Sequence, residues 1–207
     1  MTILCIGDSL TEGDYGVKGK RGIANVKADN YPKFLADISG CKVCNFGKCG
    51  YTSASYLEYY SAGNVTVKDA DIILIMLGTN GGMSGNEETA GNRAYDKLCR
   101  LLRQDYPKAQ TVLITPPHAT ADPAYSNCGY RDRVDGAVRF VREYAKANKY
   151  PLIDLASYSE FCDENEKIYQ PNDGLHYGKA GYRKMAEYIN NSLIGINDKY
   201  GRISRLI

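Results

Sequence analysis

Asp71-Ile72-Ile73-Leu74-Ile75-Met76-Leu77 is the strongest strand signal in the chain, six consecutive apolar residues that stop at Gly78-Thr79-Asn80-Gly81-Gly82. A run without polar alternation reads as a strand covered on both faces, the habit of a parallel sheet. On either side, other short apolar runs alternate with segments of helical period. Upstream, Thr2–Ile6 is a β-branched strand ending at Gly7, and Lys42–Phe46 is another. Between them, Tyr31, Phe34, Leu35 and Ile38 fall at helical spacing with Gly40 as the stop, and Thr52–Tyr60 reads as a short helix. Downstream, Ala94, Leu98, Leu101 and Leu102 mark a helix that Pro107 ends, and Thr111–Thr115 is a strand closed by Pro116-Pro117. Val134, Ala137, Val138 and Val141 mark the next helix, with Lys146 and Lys149 near its C-terminal end. A strand at Leu152–Asp154 and a helix through Tyr182, Met185, Ala186, Ile189 and Leu193 complete the pattern. Five strand–helix repeats imply right-handed crossovers and a parallel sheet with helices on both faces, one α/β domain over residues 1–207. Periodicity does not reveal the strand order.

At 207 residues, 43% apolar and 24% charged, the chain can bury a core and does not have the composition of a disordered protein. A net charge of +2 gives no support to a nucleic-acid or membrane-surface partner. Seven Cys is an odd number, so a complete disulfide framework is impossible, and reduced thiols in a cytoplasm are the simpler expectation. The N-terminus lacks the basic region of a signal peptide, and no segment reaches the roughly 20 apolar residues of a membrane span. Cys41, Cys44 and Cys49 are spaced as zinc ligands, but no second Cys pair follows and the first two overlap a strand, so no metal is expected.

Open parallel sheets collect their chemistry at the C-terminal ends of the strands. There the chain carries Gly7-Asp8-Ser9-Leu10, Gly47 through Thr52, Gly78 through Gly82, Pro116-Pro117-His118 and, beyond the fifth strand, Asp173-Gly174-Leu175-His176. Nucleophilic catalysis needs a hydroxyl, a base and an orienter for the base. The chain has two histidines, His118 and His176, and only His176 has a carboxylate, Asp173, three residues before it, close enough to reach Nδ1 while Nε2 faces outward. Each block also has a plain structural reading. Ser9-Leu10-Thr11-Glu12 is an S-x-x-E capping box, with Asp8 also a cap former; Gly50 permits a positive φ, and Asn80 before two glycines is a turn. No dinucleotide, nucleotide triphosphate or G-x-S-x-G signature is present.

Four ordered blocks resemble the SGNH (GDSL) hydrolases: Gly7-Asp8-Ser9-Leu10 with Thr11-Glu12-Gly13; Asn45 through Gly50; Gly78-Thr79-Asn80; and Asp173-Gly174-Leu175-His176 before Gly181-Tyr182. The resemblance implies a flavodoxin-like three-layer α/β/α sandwich with a central five-stranded parallel sheet, and ester hydrolysis without a metal or other cofactor. By position, Ser9 is the expected nucleophile, His176 the base and Asp173 its orienter. The Ser9 N–H, the Gly50 N–H and the Asn80 side-chain amide are the expected oxyanion hole. The family often has Asp after the third-block Asn, where this chain has Gly81, which bears on that loop's packing and the pocket beside it.

The expected partner is a small-molecule ester, with short acyl groups such as acetyl on carbohydrates favoured because the loops are rich in Tyr, Asn and Gly and no long apolar lid is evident. A lysophospholipase or thioesterase with a longer acyl channel is the alternative, and a non-catalytic ligand-binding relative a further one. His118, Tyr125 and Asp8 are candidate substrate-binding residues, with Tyr130 and Arg131 beside them. The basic stretch Lys18–Lys27 is a candidate solvated loop bordering the entrance.

Overall fold

In the computed structural model, which describes residues 1–17 and 29–200, five parallel strands run in the order β2-β1-β3-β4-β5. They are β1 (Thr2–Gly7), β2 (Lys42–Gly47), β3 (Ile72–Met76), β4 (Gln110–Ile114) and β5 (Leu152–Ile153). This is the flavodoxin-like order, with the chain reversing its direction of travel across the sheet at β1 and β3. The expected strands are all present, with no end shifted by more than one residue. All five residues of β3 are buried, which is why its sequence shows no alternation.

Helices cover both faces, and the strands sort their side chains between them with period two. Ile3, Cys5, Ile72, Leu74 and Val112 pack on α2 (Tyr31–Ser39) and α7 (Lys179–Tyr200). Leu4, Ile6, Ile73, Ile75 and Leu113 pack on α3 (Ser53–Ser61), α4 (Ala90–Asp105) and α5 (Arg131–Asn148). Each fully buried Leu or Ile contributes roughly 1.5–3 kcal/mol, so the two layers rather than the sheet's edges carry the stability. Local chemistry sets the helix ends. Asn30 caps α2 and Gly40 closes it at φ 68°; Thr52 and Ser55 form a reciprocal capping box on α3; Thr89 caps α4. Ile38, expected on the inner face of α2, lies in its last turn and is 40% exposed.

The short helix α1 (Ser9–Glu12) starts at the expected capping motif, whereas a second one, α6 (Glu166–Tyr169), has no counterpart in the sequence pattern. The register pairs Gly7 with both Gly47 and Met76, so the loops after β1, β2 and β3 leave the sheet at one level and meet at its rim. No described helix is long and apolar enough to cross a membrane. The basic stretch Lys18–Lys27 lies outside the described residues.

Candidate active site

The β1 loop turns back tightly. A Cβ on Gly7 would sit 2.0 Å from Thr11 Oγ1, so only glycine lets α1 fold against the strand end. Asp8, not Ser9, caps this helix: its Oδ1 accepts the Leu10 N–H at 3.0 Å. Ser9 is therefore the first helical residue, and its N–H belongs to the open turn with no intrahelical acceptor. Asp8 is completely buried, so the expectation that it binds substrate is corrected. Its Oδ2 and the neighbouring Thr79 hydroxyl have no partner at hydrogen-bond geometry. Burial pushes the Asp8 carboxyl up to about 6, against the pull of the Leu10 N–H, Thr79 and the His176 charge.

Two further loops are bound to α1. Gly47 packs so closely that a Cβ there would be 2.1 Å from the Glu12 nitrogen. Asn45 Nδ2 donates to Thr11 O at 2.8 Å, and Glu12 Oε2 accepts the Cys49 N–H at 2.6 Å. The Tyr51 N–H closes a turn on Lys48 O, and Gly50 occupies its third position at φ 76°, which favours glycine. Asn80, on the β3 loop, donates one Nδ2 hydrogen to Tyr51 O at 3.0 Å, leaving its second for the cleft. Gly81 and Gly82 follow at φ 82° and 83°, two successive left-handed residues in the position where the resemblance often has Asp. Gly82 O lies against Gly91 of α4, where a Cβ would approach to 2.0 Å.

The fourth segment completes the assembly. His176 Nε2 is 2.9 Å from Ser9 Oγ, and His176 Nδ1 is 2.7 Å from Asp173 Oδ2. Asp173 Oδ1 accepts the Leu175 N–H at 3.0 Å and the His176 N–H at 2.8 Å. Burial pushes the Asp173 carboxyl up, but the bond to His176, its charge and the two backbone N–H groups outweigh that and hold it below the usual range. Burial likewise pulls His176 down, but the Asp173 bond and charge, with Asp14 and Asp8 adding to them, raise it above 6.5. A hydroxyl against an imidazole whose far nitrogen is held by a carboxylate can deliver an alkoxide-like nucleophile and return its proton.

Ser9, Gly50, Asn80, Asp173 and His176 all line one cleft of about 650 Å³. Asp14, Gly16, Val17, Cys49, Asn127, Tyr130 and Leu175 share it. Among the substrate-binding candidates, Tyr130 reaches the cleft and its neighbours do not. His118 turns away, its Nε2 at 2.8 Å from Glu166 Oε1 and 3.1 Å from Asp163 Oδ1. Arg131 pairs with Asp163 and donates to Ala119 O. Tyr125 packs behind the Asp173–His176 loop, where a Cβ on Gly174 would come within 2.8 Å of it. His118, Asp163 and Glu166 bring their ligand atoms within 4.8 Å of one another, but the Arg131 guanidinium already stands among them, 3.2 Å from His118 Nε2. The Cys41 and Cys49 thiols are engaged separately, on Ser39 O at 3.7 Å and Asp14 Oδ2 at 3.5 Å.

Asn127 and Glu166 escaped the sequence reading. Asn127 Nδ2 donates to Asp173 Oδ2 at 2.9 Å across 46 residues, and in sequence it is one more polar loop residue. Glu166, 5% exposed, reads as a surface charge yet accepts Thr120 Oγ1 at 2.6 Å. The Thr120 N–H in turn holds Gly174 O at 2.8 Å, and Gln170 Nε2 bridges His118 O and Leu175 O. This buried network props the Asp173–His176 loop from behind.

The sequence matches the GDSL-like lipase/acylhydrolase family over residues 5–184. The chain belongs to that family and is an ester hydrolase. Among solved structures it is similar to the native aryl esterase of M. Smegmatis, at 20% identity and a TM-score of 0.74, covering 94% of this chain and 98% of that one. It is similar to a lipase/acylhydrolase from Enterococcus faecalis, at 23% identity and a TM-score of 0.68, covering 94% and 96%. A carbohydrate acetylesterase family member from Sinorhizobium meliloti matches at 22% identity and a TM-score of 0.69, covering 94% and 98%. At these identities the likeness is one of fold. No curated protein sequence matches.

Proposed function

We propose that the chain cleaves esters through an acyl-enzyme on Ser9, with His176 as general base and Asp173 as its orienter. One observation carries the reading: the unbroken contact from Ser9 Oγ through the imidazole to Asp173 Oδ2, at 2.9 and 2.7 Å. Ser9 Oγ attacks the ester carbonyl carbon as its proton passes to His176 Nε2. The oxyanion is held by the Ser9 and Gly50 N–H groups and the free Asn80 amide hydrogen. Collapse breaks the carbon–oxygen bond of the ester, and the imidazolium returns its proton to the departing alcohol. Water, deprotonated by His176, then releases the acid and frees Ser9. The imidazole must be neutral at the outset. Its raised pKa therefore puts the acid-side fall in kcat/KM above pH 6.5.

For substrate, we propose short acyl groups, acetyl foremost, on carbohydrates or other small alcohols. The cleft wall supports this: Asn80, Asn127 and Asp14 give it polar character, and Val17, Leu175 and Tyr130 supply limited apolar surface. The solved acetylesterase with the same fold adds to it. The test is a p-nitrophenyl ester series from acetyl to octanoyl with a panel of acetylated sugars, run beside Ser9→Ala. Highest kcat/KM on acetyl, and no turnover by Ser9→Ala, are expected. Best activity on octanoyl or longer overturns the short-acyl assignment. A serine-directed organophosphate that leaves Ser9 unlabelled in folded protein overturns the mechanism.

A further inference from the structure

Asp173 has a partner outside the four sequence blocks. An ionised carboxylate has about four acceptor positions. Three are filled from within its own loop, by the Leu175 and His176 N–H groups on Oδ1 and His176 Nδ1 on Oδ2. The fourth is filled from the β4–α5 loop, by Asn127 Nδ2 on Oδ2 at 2.9 Å. Because the carboxylate can only accept, the amide must present its NH₂ group. The backbone of Asn127 is held at both ends, its N–H on Asp173 O at 3.2 Å and its carbonyl by the Tyr130 N–H at 3.0 Å. On the Oδ2 side, the Gly16 backbone stands so close that a Cβ would sit 2.2 Å away.

We propose that Asn127 is a positioning residue of the catalytic pair: it fixes the carboxylate plane so that Oδ2 meets His176 Nδ1 and Nε2 stays aimed at Ser9. This rests on the acyl-serine reading above. It also sets how strongly Asp173 stabilises the imidazolium. The amide shares Oδ2 with His176, so removing it leaves that oxygen more basic toward the imidazole. Among the described residues, the other charges facing His176 are Asp14 and Asp8, which no change at position 127 alters.

The experiment compares wild type with Asn127→Ala and Asn127→Asp on p-nitrophenyl acetate across pH. Asn127→Ala should lower kcat by roughly tenfold, as for one hydrogen bond to a charged group, with KM within about threefold. Its acid limb should move to higher pH, and that of Asn127→Asp further still, because a second carboxylate adds to the charge beside the imidazole. Acid limbs that superimpose on wild type overturn the proposal, even if kcat falls, because a loop-shaping residue alone would lower activity without moving them. A second measurement needs no variant: the Asn127 side-chain amide resonances of wild type should titrate with the same midpoint as His176, and a flat signal overturns the proposal. Ser9→Ala and His176→Ala separate the two levels. If both are inactive while Asn127→Ala behaves as wild type, only the positioning role fails; if Ser9→Ala retains turnover, the mechanism itself fails.

Discussion

Replacing Asp8 with Asn should make the protein more stable at neutral pH and leave it unchanged in acid. Asp8 lies completely buried beside Ser9, with its carboxyl raised from 3.8 to about 6. The folded state therefore holds a proton that the unfolded chain has released between those values, and stability falls as pH rises through that window. At 1.36 kcal/mol per pKa unit, the buried charge costs ~3 kcal/mol above pH 6 and nothing below 3.8. Asn keeps the capping acceptor for the Leu10 N–H and offers an NH₂ toward the unpartnered Thr79 hydroxyl, so the helix start survives. For a domain of this size each kcal/mol moves Tm by about 2–4 °C. The variant should melt roughly 6–12 °C higher at pH 8, and the gap should close on approach to pH 4. Calorimetry of both proteins across that range is the assay. A Tm difference that does not change with pH, or a lower Tm at pH 8, refutes the buried-charge reasoning. Because Asp8 also adds to the negative field on His176, the same substitution should move the acid limb of kcat/KM to lower pH.

Asn80→Ala should cost roughly 10²–10³ in kcat, the loss of one oxyanion donor, with little change in KM; a loss below tenfold would remove Asn80 from that role. Gly16→Ala must place a Cβ 2.2 Å from Asp173 Oδ2 at a φ of 66°, so activity should fall far more than Tm, which kinetics and melting on one preparation will separate. His118→Ala removes a partner of the buried Glu166 and should cost about 1–3 kcal/mol in denaturant unfolding. The acyl-length profile should be unchanged, and a changed profile would put His118 back in the substrate's path.

The elements that could be read from sequence are those whose signal is local. β3 announces itself by a run of apolar residues, α2 by its period and Gly40, α3 by Thr52, because each is decided within a few residues. The strand order was hidden because nothing local says which strands pair. Ser9, Gly50, Asn80, Asp173 and His176 were legible as family blocks, and all line the cleft. Asn127 was not, since its significance lies in a hydrogen bond to a residue 46 positions away. His118 stayed open between a substrate contact and a structural loop for the same reason. A histidine after a strand end looks like site chemistry, but Glu166, 48 residues downstream, claims its ring.

Ser9-Leu10-Thr11-Glu12 reads as a helix start that either Ser9 or the preceding Asp8 could cap, and the structure chooses between them. The capping-box pattern alone makes Ser9 the cap and Glu12 its reciprocal partner. In the structure Asp8 takes the cap, one residue earlier, and Glu12 reaches across to the Cys49 N–H instead. That single-residue shift has two chemical consequences. A capping serine would spend its hydroxyl on a backbone amide; as the first residue of α1, Ser9 keeps its hydroxyl for His176 and its own N–H unspent toward the cleft. And because Glu12 is not used in capping, it anchors the turn that carries Gly50. Glu12→Gln, which keeps an acceptor but loses the charge, should therefore weaken oxyanion binding rather than helix formation. The expected result is a fall of about tenfold in kcat, the worth of a charge-assisted over a neutral hydrogen bond, at a nearly unchanged Tm. A loss of stability with kcat intact would mean that Glu12 serves α1 after all, as its place in the motif first suggests.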